Sequence, residues 1–135
     1  MDRRKELFEE VAKQLQKNYI RLTEIEKLTK ELGDALSRSD NEAAQMFLGM
    51  RQDEMDKVDE GKRGLYAILD AMSAQDRDSV KILLDGQSIS GEQEEEAEKI
   101  MELSVQIKHI LARTIEADRA ISRRLAGKDS YYQSQ

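Results

Sequence analysis

The side chains best suited to acid–base or metal chemistry are scarce and poorly spaced. His109 is the only histidine, and there is no cysteine. A carboxylate-bridged di-iron helical bundle needs two Glu-x-x-His motifs, but position 106 is Gln and no second histidine exists. Zinc sites need Cys or His clusters, so no metal is implied and His109 is expected to be partly exposed. The stretch "DGQSISGEQEEE" (85–96) superficially resembles a calcium loop. It fails at Ile89, a ligand position, and at Ser90, where the loop requires glycine. No glycine-rich phosphate loop occurs, which argues against ATP use. Serines and acids abound without a usable base, so no nucleophilic triad can be assembled. Arg21 and Arg51 would suit an anionic substrate if they pointed into a pocket; the simpler expectation puts both on wet helix faces. The acid clusters Asp53-Glu54-Asp56 and Glu94-Glu95-Glu96 read as solvated faces. These residues imply no enzyme and no cofactor.

The elements that would have to position any site are helical. The 135 residues are 37% charged and 39% apolar, with no proline or tryptophan and seven glycines. Such a composition suits one all-α domain. Absence of proline leaves every helix its full set of N–H donors, and β-branched and aromatic runs are too few for a sheet. Net charge is −6, which disfavours a nucleic-acid binder. Charge is unevenly spread, with six glutamates against one lysine over Glu92–Glu102 and six basic residues against two acids over Lys108–Lys128. Acid early and base late in one helix match its dipole; a basic docking patch is the alternative. No apolar run approaches the roughly 20 residues of a membrane span, and "MDRRKELFEEV" lacks the apolar core of a signal peptide. A cytoplasmic protein is expected.

Periodicity predicts three long helices, at about 2–37, 41–73 and 92–126, a short one at about 76–85, and a flexible tail over 127–135. Positions 8, 11, 15, 18, 22, 25, 29, 32 and 36 alternate three and four apart and are mostly apolar, the pattern of a left-handed supercoil. Leu7, Tyr19 and Leu28 widen this seam, as packing against two neighbours requires. Asn18 lies on the seam, either to fix register or as a satisfied polar residue. Ser39 or Asp40 can cap the second helix. Gly61 and Gly64 each cost about 1 kcal/mol against alanine and mark its weakest stretch. Val80, Leu83 and Leu84 of the short helix would cover an open end or flank. Ser90 and Gln93 offer a capping box for the third long helix. There, Ile100, Leu103, Ile107, Ile110, Leu111, Ile115, Ile121 and Leu125 fall within an arc of about 140°. That width serves core between two neighbours, or core plus an exposed strip for a partner. Asp118, in mid-arc, either pairs with an arginine or marks where the helix leaves the bundle. The up-down-up antiparallel bundle so described should stop at Gly127, which leaves Tyr131 and Tyr132 in a polar terminal stretch.

Two stretches resemble one family. They are "LTKELGDALSRSDNEAAQMFLGMRQDEMDKV" (28–58), a helix ending in a polar turn and restarting into a charged coil, and the tyrosine-bearing end "RRLAGKDSYYQSQ". The arrangement looks like the FlgN/FliT-type export chaperones of the flagellar type III secretion system. This resemblance implies a cytoplasmic chaperone without ATPase activity. Its client would be the amphipathic C-terminal segment of a hook-associated or filament-cap protein, delivered to the export gate. It implies a helix-in-groove mode, with the client on Ile100, Leu103, Ile107, Ile110, Leu111 and Ile115, and Tyr131 or Tyr132 engaging the export gate. The other reading is a structural coiled-coil adaptor or homodimer that buries the same stripe in a constitutive oligomer. Neither requires nucleic acid or membrane insertion.

Overall fold

The computed structural model describes residues 3–89 and 94–133, with side chains described through Leu125. Four helices fill these residues, α1 Arg3–Ser37, α2 Asn41–Asp70, α3 Ala74–Leu84 and α4 Glu95–Gln133. The described chain is thus all-helical, as composition requires.

Along α1, every position of the three–four pattern from Phe8 to Leu32 is buried, and Leu36 is half-buried. Leu7 and Leu28 are buried beside them, so the seam is wide because α1 packs on both α2 and α4. Arg21 meets Glu54 while the earlier Gln14 faces the later Gly64, so α2 runs back along α1. Glu26 meets Arg113 and Ser37 meets Arg124, so α4 runs forward beside α1. Three apolar clusters stack along the helices. The largest gathers Leu7, Phe8, Val11 and Leu15 of α1, Leu69 and Met72 at the end of α2, Val80 and Leu83 of α3, and Ala97 and Ile100 of α4. A middle cluster holds Leu22, Ile25, Val58 and Ile110, and a far one Leu32, Ala35 and Ala44.

The turns explain the boundaries. Ser39 takes a left-handed conformation (φ 57°), and its N–H and that of Asp40 bond the Leu36 and Ala35 carbonyls to close α1. Asp40, not Ser39, caps α2 by accepting from the Ala43 N–H at 3.1 Å. α2 ends at Asp70 rather than near 73, because Ser73 takes over as the cap of α3, accepting from the Asp76 N–H. Arg77 donates to the Leu69 and Met72 carbonyls, adding a second donor to Leu69, which already accepts from the Met72 N–H, and supplying one to Met72 just past the end of α2. Gly86, with φ 84°, terminates α3. α3 then closes one end of the molecule, with Leu84 packed on the same cluster as Val80 and Leu83.

Two expected boundaries of α4 are not met. It begins at Glu95 rather than 92 and continues to Gln133 instead of stopping at Gly127, so its backbone replaces much of the tail expected over 127–135. A glycine costs about 1 kcal/mol inside a helix but does not end one, as proline would. The Ser90–Gln93 capping box lies outside the described residues.

The two glycines of α2 do not interrupt it. They face α1, and a Cβ at Gly61 would overlap Asn18 Oδ1 and stand 3.0 Å from its Cγ. Asn18 Oδ1 accepts from Gln14 Nε2 at 3.0 Å, so a polar rung lies where α2 presses closest to α1. Arg4 fastens the opposite edge. It bonds Asp76 at 3.0 Å, pairs with Glu94, and stacks on the Phe8 ring at 4.7 Å from the centroid.

Candidate functional site

The apolar arc of α4 divides according to what covers it. Ile100 is fully buried among Phe8, Val80 and Leu83, and Ile110 is buried against Leu22, Ile25 and Val58. Both are core, so as placed neither meets a partner. Leu103 and Ile107 are half-buried at the edges of these clusters. Leu111 and Ile115 are 40% and 48% exposed, and Leu125 is 43% exposed. The stripe therefore begins as core and then splits, with Ile121 still packed on the far cluster and Leu111, Ile115 and Leu125 at the surface.

The reason is the length of α3. Over its first half α4 lies against α1 on one side and α3 on the other. Gly86 comes so close to Val105 that a Cβ there would stand 3.1 Å from Cγ2, and Lys108 Nζ donates to the Asp85 carbonyl at 2.6 Å. Past Lys108 no residue of α3 remains to cover the helix. Leu111 and Ile115 continue the same apolar face, seven and three residues before Asp118, and both are exposed.

Asp118 pairs with Arg51, whose side chain is only 12% exposed, and this bond links α2 to α4 directly. Of the two arrangements open to Asp118, the structure adopts the ion pair. Leu111 is two turns before Asp118 on one helix face, so it borders the side of α4 turned toward α2. Leu103 lies elsewhere, in a groove of about 420 Å³ between α1 and α4 with Glu9, Lys13, Gln16, Glu96 and Lys99 on its walls. A smaller hollow of about 240 Å³ opens between Gly33, Leu36, Ile121 and Leu125, with Ser37 and Arg124 at its rim. The six residues expected to act together are thus two core positions, two edge positions and two exposed ones.

Several charges in the second half of α4 are engaged. Arg113 donates from Nε and Nη2 to the two carboxylate oxygens of Glu26, at 2.7 and 3.3 Å. These hydrogen bonds, helped by the charges of Arg113 and Lys30, hold the Glu26 carboxyl below the usual carboxylate range against the opposing effect of burial. The same bonds push the Arg113 guanidinium up. Arg123 pairs with Glu116. Arg21 pairs with Glu54 and lies on an exposed face, as expected, whereas Arg51 pairs with Asp118 and is largely buried rather than on a wet face. His109 is exposed. Among the described residues, no group of three or more His, Cys, Asp or Glu is placed to hold a metal, and no helix is long and apolar enough to cross a membrane.

Tyr131 and Tyr132 belong to the α4 backbone, and their side chains lie outside the described residues. Sequence reasoning missed the large apolar residues exposed on other faces, notably Met46, Leu48 and Met50 near the start of α2 and Tyr66 further along it, 62% exposed. Leu48 and Met50 are among the apolar residues of α2, and only burial sorts which of these face the core. The Arg51–Asp118 bond had a signal in the aspartate set within an apolar arc, but its partner could not be chosen from sequence. Compared with protein-family models, curated proteins and solved structures, the chain matches none.

Proposed function

We propose that the chain acts by binding another protein along α4, as a cytoplasmic export chaperone of the FlgN/FliT type. In this reading the three long helices form an up-down-up antiparallel bundle whose last helix extends past its support. The observation that carries it is the exposure of Leu111 and Ile115 on the α4 stripe, just past the end of α3. Leu111 and Ile115 offer anchors four residues apart, and Ile107 and Leu103 extend the row at its half-buried edge. An amphipathic client segment with anchors at i, i+3, i+4 and i+7 fits such a row. The client is the C-terminal segment of a hook-associated or filament-cap protein. Tyr131 and Tyr132, at the far end of α4, are assigned to the export gate, where a tyrosine ring buries area while its hydroxyl keeps a hydrogen-bond partner.

The test is affinity capture from a lysate of the source cell by the chain and by its Leu111→Asp/Ile115→Asp variant, with mass spectrometry of the retained proteins. A hook-associated or filament-cap protein should be retained by the first and lost by the second, and a peptide of its C-terminal segment should displace it. Recovery of the chain alone would return the molecule to the adaptor or homodimer reading. Alanine at both Tyr131 and Tyr132 should leave client capture intact while weakening binding to the export gate; unchanged gate binding would remove the tyrosines from the mechanism.

A further inference from the structure

Arg51 is set apart from the other arginines by its surroundings. Its guanidinium carries five N–H donors, and the one acceptor found for it among the described residues is Asp118. Its Nε is buried without a partner, as is the hydroxyl of Thr114, one turn before Asp118. Leaving a buried donor of a charged group unpaired is costly, so Arg51 is held with capacity for a second acceptor. Asp118 is placed differently. Its side chain is 40% exposed against 12% for Arg51, so on leaving Arg51 it would be solvated by water at once. The less replaceable member of the pair is the cation, and the anion is the one free to leave.

The position of this pair gives it meaning for binding. Leu111, Ile115 and Asp118 lie on one face of α4 at spacings of four and three. A segment that covers Leu111 and Ile115 and continues one turn reaches Asp118 and the guanidinium behind it. We propose that Arg51 is the specificity determinant of this surface, and that it selects an amphipathic segment carrying a carboxylate one turn beyond its apolar anchors. This rests on the reading of α4 as the binding surface. The incoming carboxylate takes the place of Asp118, which turns into water. Charge at Arg51 is conserved in the exchange. The gain is geometric: Asp118 meets the guanidinium through one bond at Nη2, whereas a carboxylate not tethered to α4 can align both oxygens with the planar fork. A segment with glutamine at that place can neither displace Asp118 nor neutralise Arg51.

The test uses the full chain and two fluorescein-labelled synthetic helical peptides. Both carry leucines at i, i+4 and i+7, and they differ only in Glu or Gln one turn beyond. By fluorescence anisotropy the Glu peptide should bind about tenfold tighter than the Gln peptide. In Arg51→Met, which keeps the apolar stem, the ratio should fall to about one. In Asp118→Asn, which leaves the cation without its resident carboxylate, the preference for Glu should widen. If wild type and Asp118→Asn bind both peptides equally well, the anchors alone hold the segment; the role of Arg51 is then overturned and the α4 surface stands. If neither peptide binds, or if Leu111→Asp/Ile115→Asp binds them undiminished, the surface is wrong and this inference falls with it.

Discussion

Replacing Gly61 with alanine isolates the close approach of α2 to α1. Judged by helix propensity alone, the change should stabilise by about 1 kcal/mol, as for any interior helical glycine. At this site the new methyl would overlap Asn18 Oδ1 and stand 3.1 Å from Gln14 Nε2. Asn18 is 8% exposed and bound to Gln14, so it cannot step aside without breaking that bond. Losing one hydrogen bond and stranding its buried ends costs roughly 1–3 kcal/mol. Forcing the helices apart instead costs a similar amount, roughly 1–3 kcal/mol. Either penalty exceeds the propensity gain, for a net destabilisation of about 1 kcal/mol. Gly49 is the internal control, since nothing lies within 4 Å of a Cβ there, and Gly49→Ala should stabilise by about 1 kcal/mol. Thermal and urea unfolding followed by circular dichroism should show the two variants moving in opposite directions, by about 3–5 °C each. Adding Asn18→Ala to Gly61→Ala should recover part of the loss, a coupling measured by a double-mutant cycle. Equal stabilisation by both glycine replacements would show that the helices are not pressed together at Asn18.

Three further outcomes are expected. Asp40→Ala should lower stability by about 1 kcal/mol in the same unfolding assay, because only the Asp40 carboxylate accepts from the Ala43 N–H; no change would mean the cap is replaceable by water. Glu26, whose carboxyl is held low by Arg113, should titrate below the usual glutamate value of about 4.3 by carboxyl-carbon NMR. Its contribution to stability is present above that value and is lost as pH falls through the lowered one; Arg113→Gln should return the titration to the ordinary range, and identical curves would count against the pair. Ile107→Asp should destabilise the fold by roughly 2–4 kcal/mol, because Ile107 touches both the large and the middle cluster, whereas Leu111→Asp should leave the melting curve nearly unchanged.

The seam of α1 could be read from spacing because both its flanks are covered along most of its length, so periodicity and burial coincide. The same method left α4 open between core and core plus an exposed strip. Spacing gives the phase of an apolar arc, but Leu111 and Ile100 lie only 20° apart on it and differ by the presence of α3. The end of the short helix was legible to within a residue, but that α3 lies along α4 and reaches only as far as Lys108 is contained in no count of apolar residues. Gly61 and Gly64 were visible as weak helix formers, and their use as room for Asn18 and Gln14 required knowing which helix lay opposite. Gly127 was visible too, but a helix stop needs a structural reason to leave the helix as well as a poor helix former. The candidate site was therefore half legible, as a stripe without its boundary.

The pairing of α1 with α4 also bears on how the molecule is made. Glu26 and Arg113 stand 87 residues apart, and Ser37 and Arg124 keep the same separation. α1 and α2 can close as a hairpin as soon as both have left the ribosome, but the second flank of α1 has no cover until α4 follows. At ordinary rates of synthesis that delay is on the order of ten seconds. Throughout it Leu15, Leu22 and Ile25 have only one of their two neighbours, so the newborn chain offers an apolar flank on α1 before it offers one on α4.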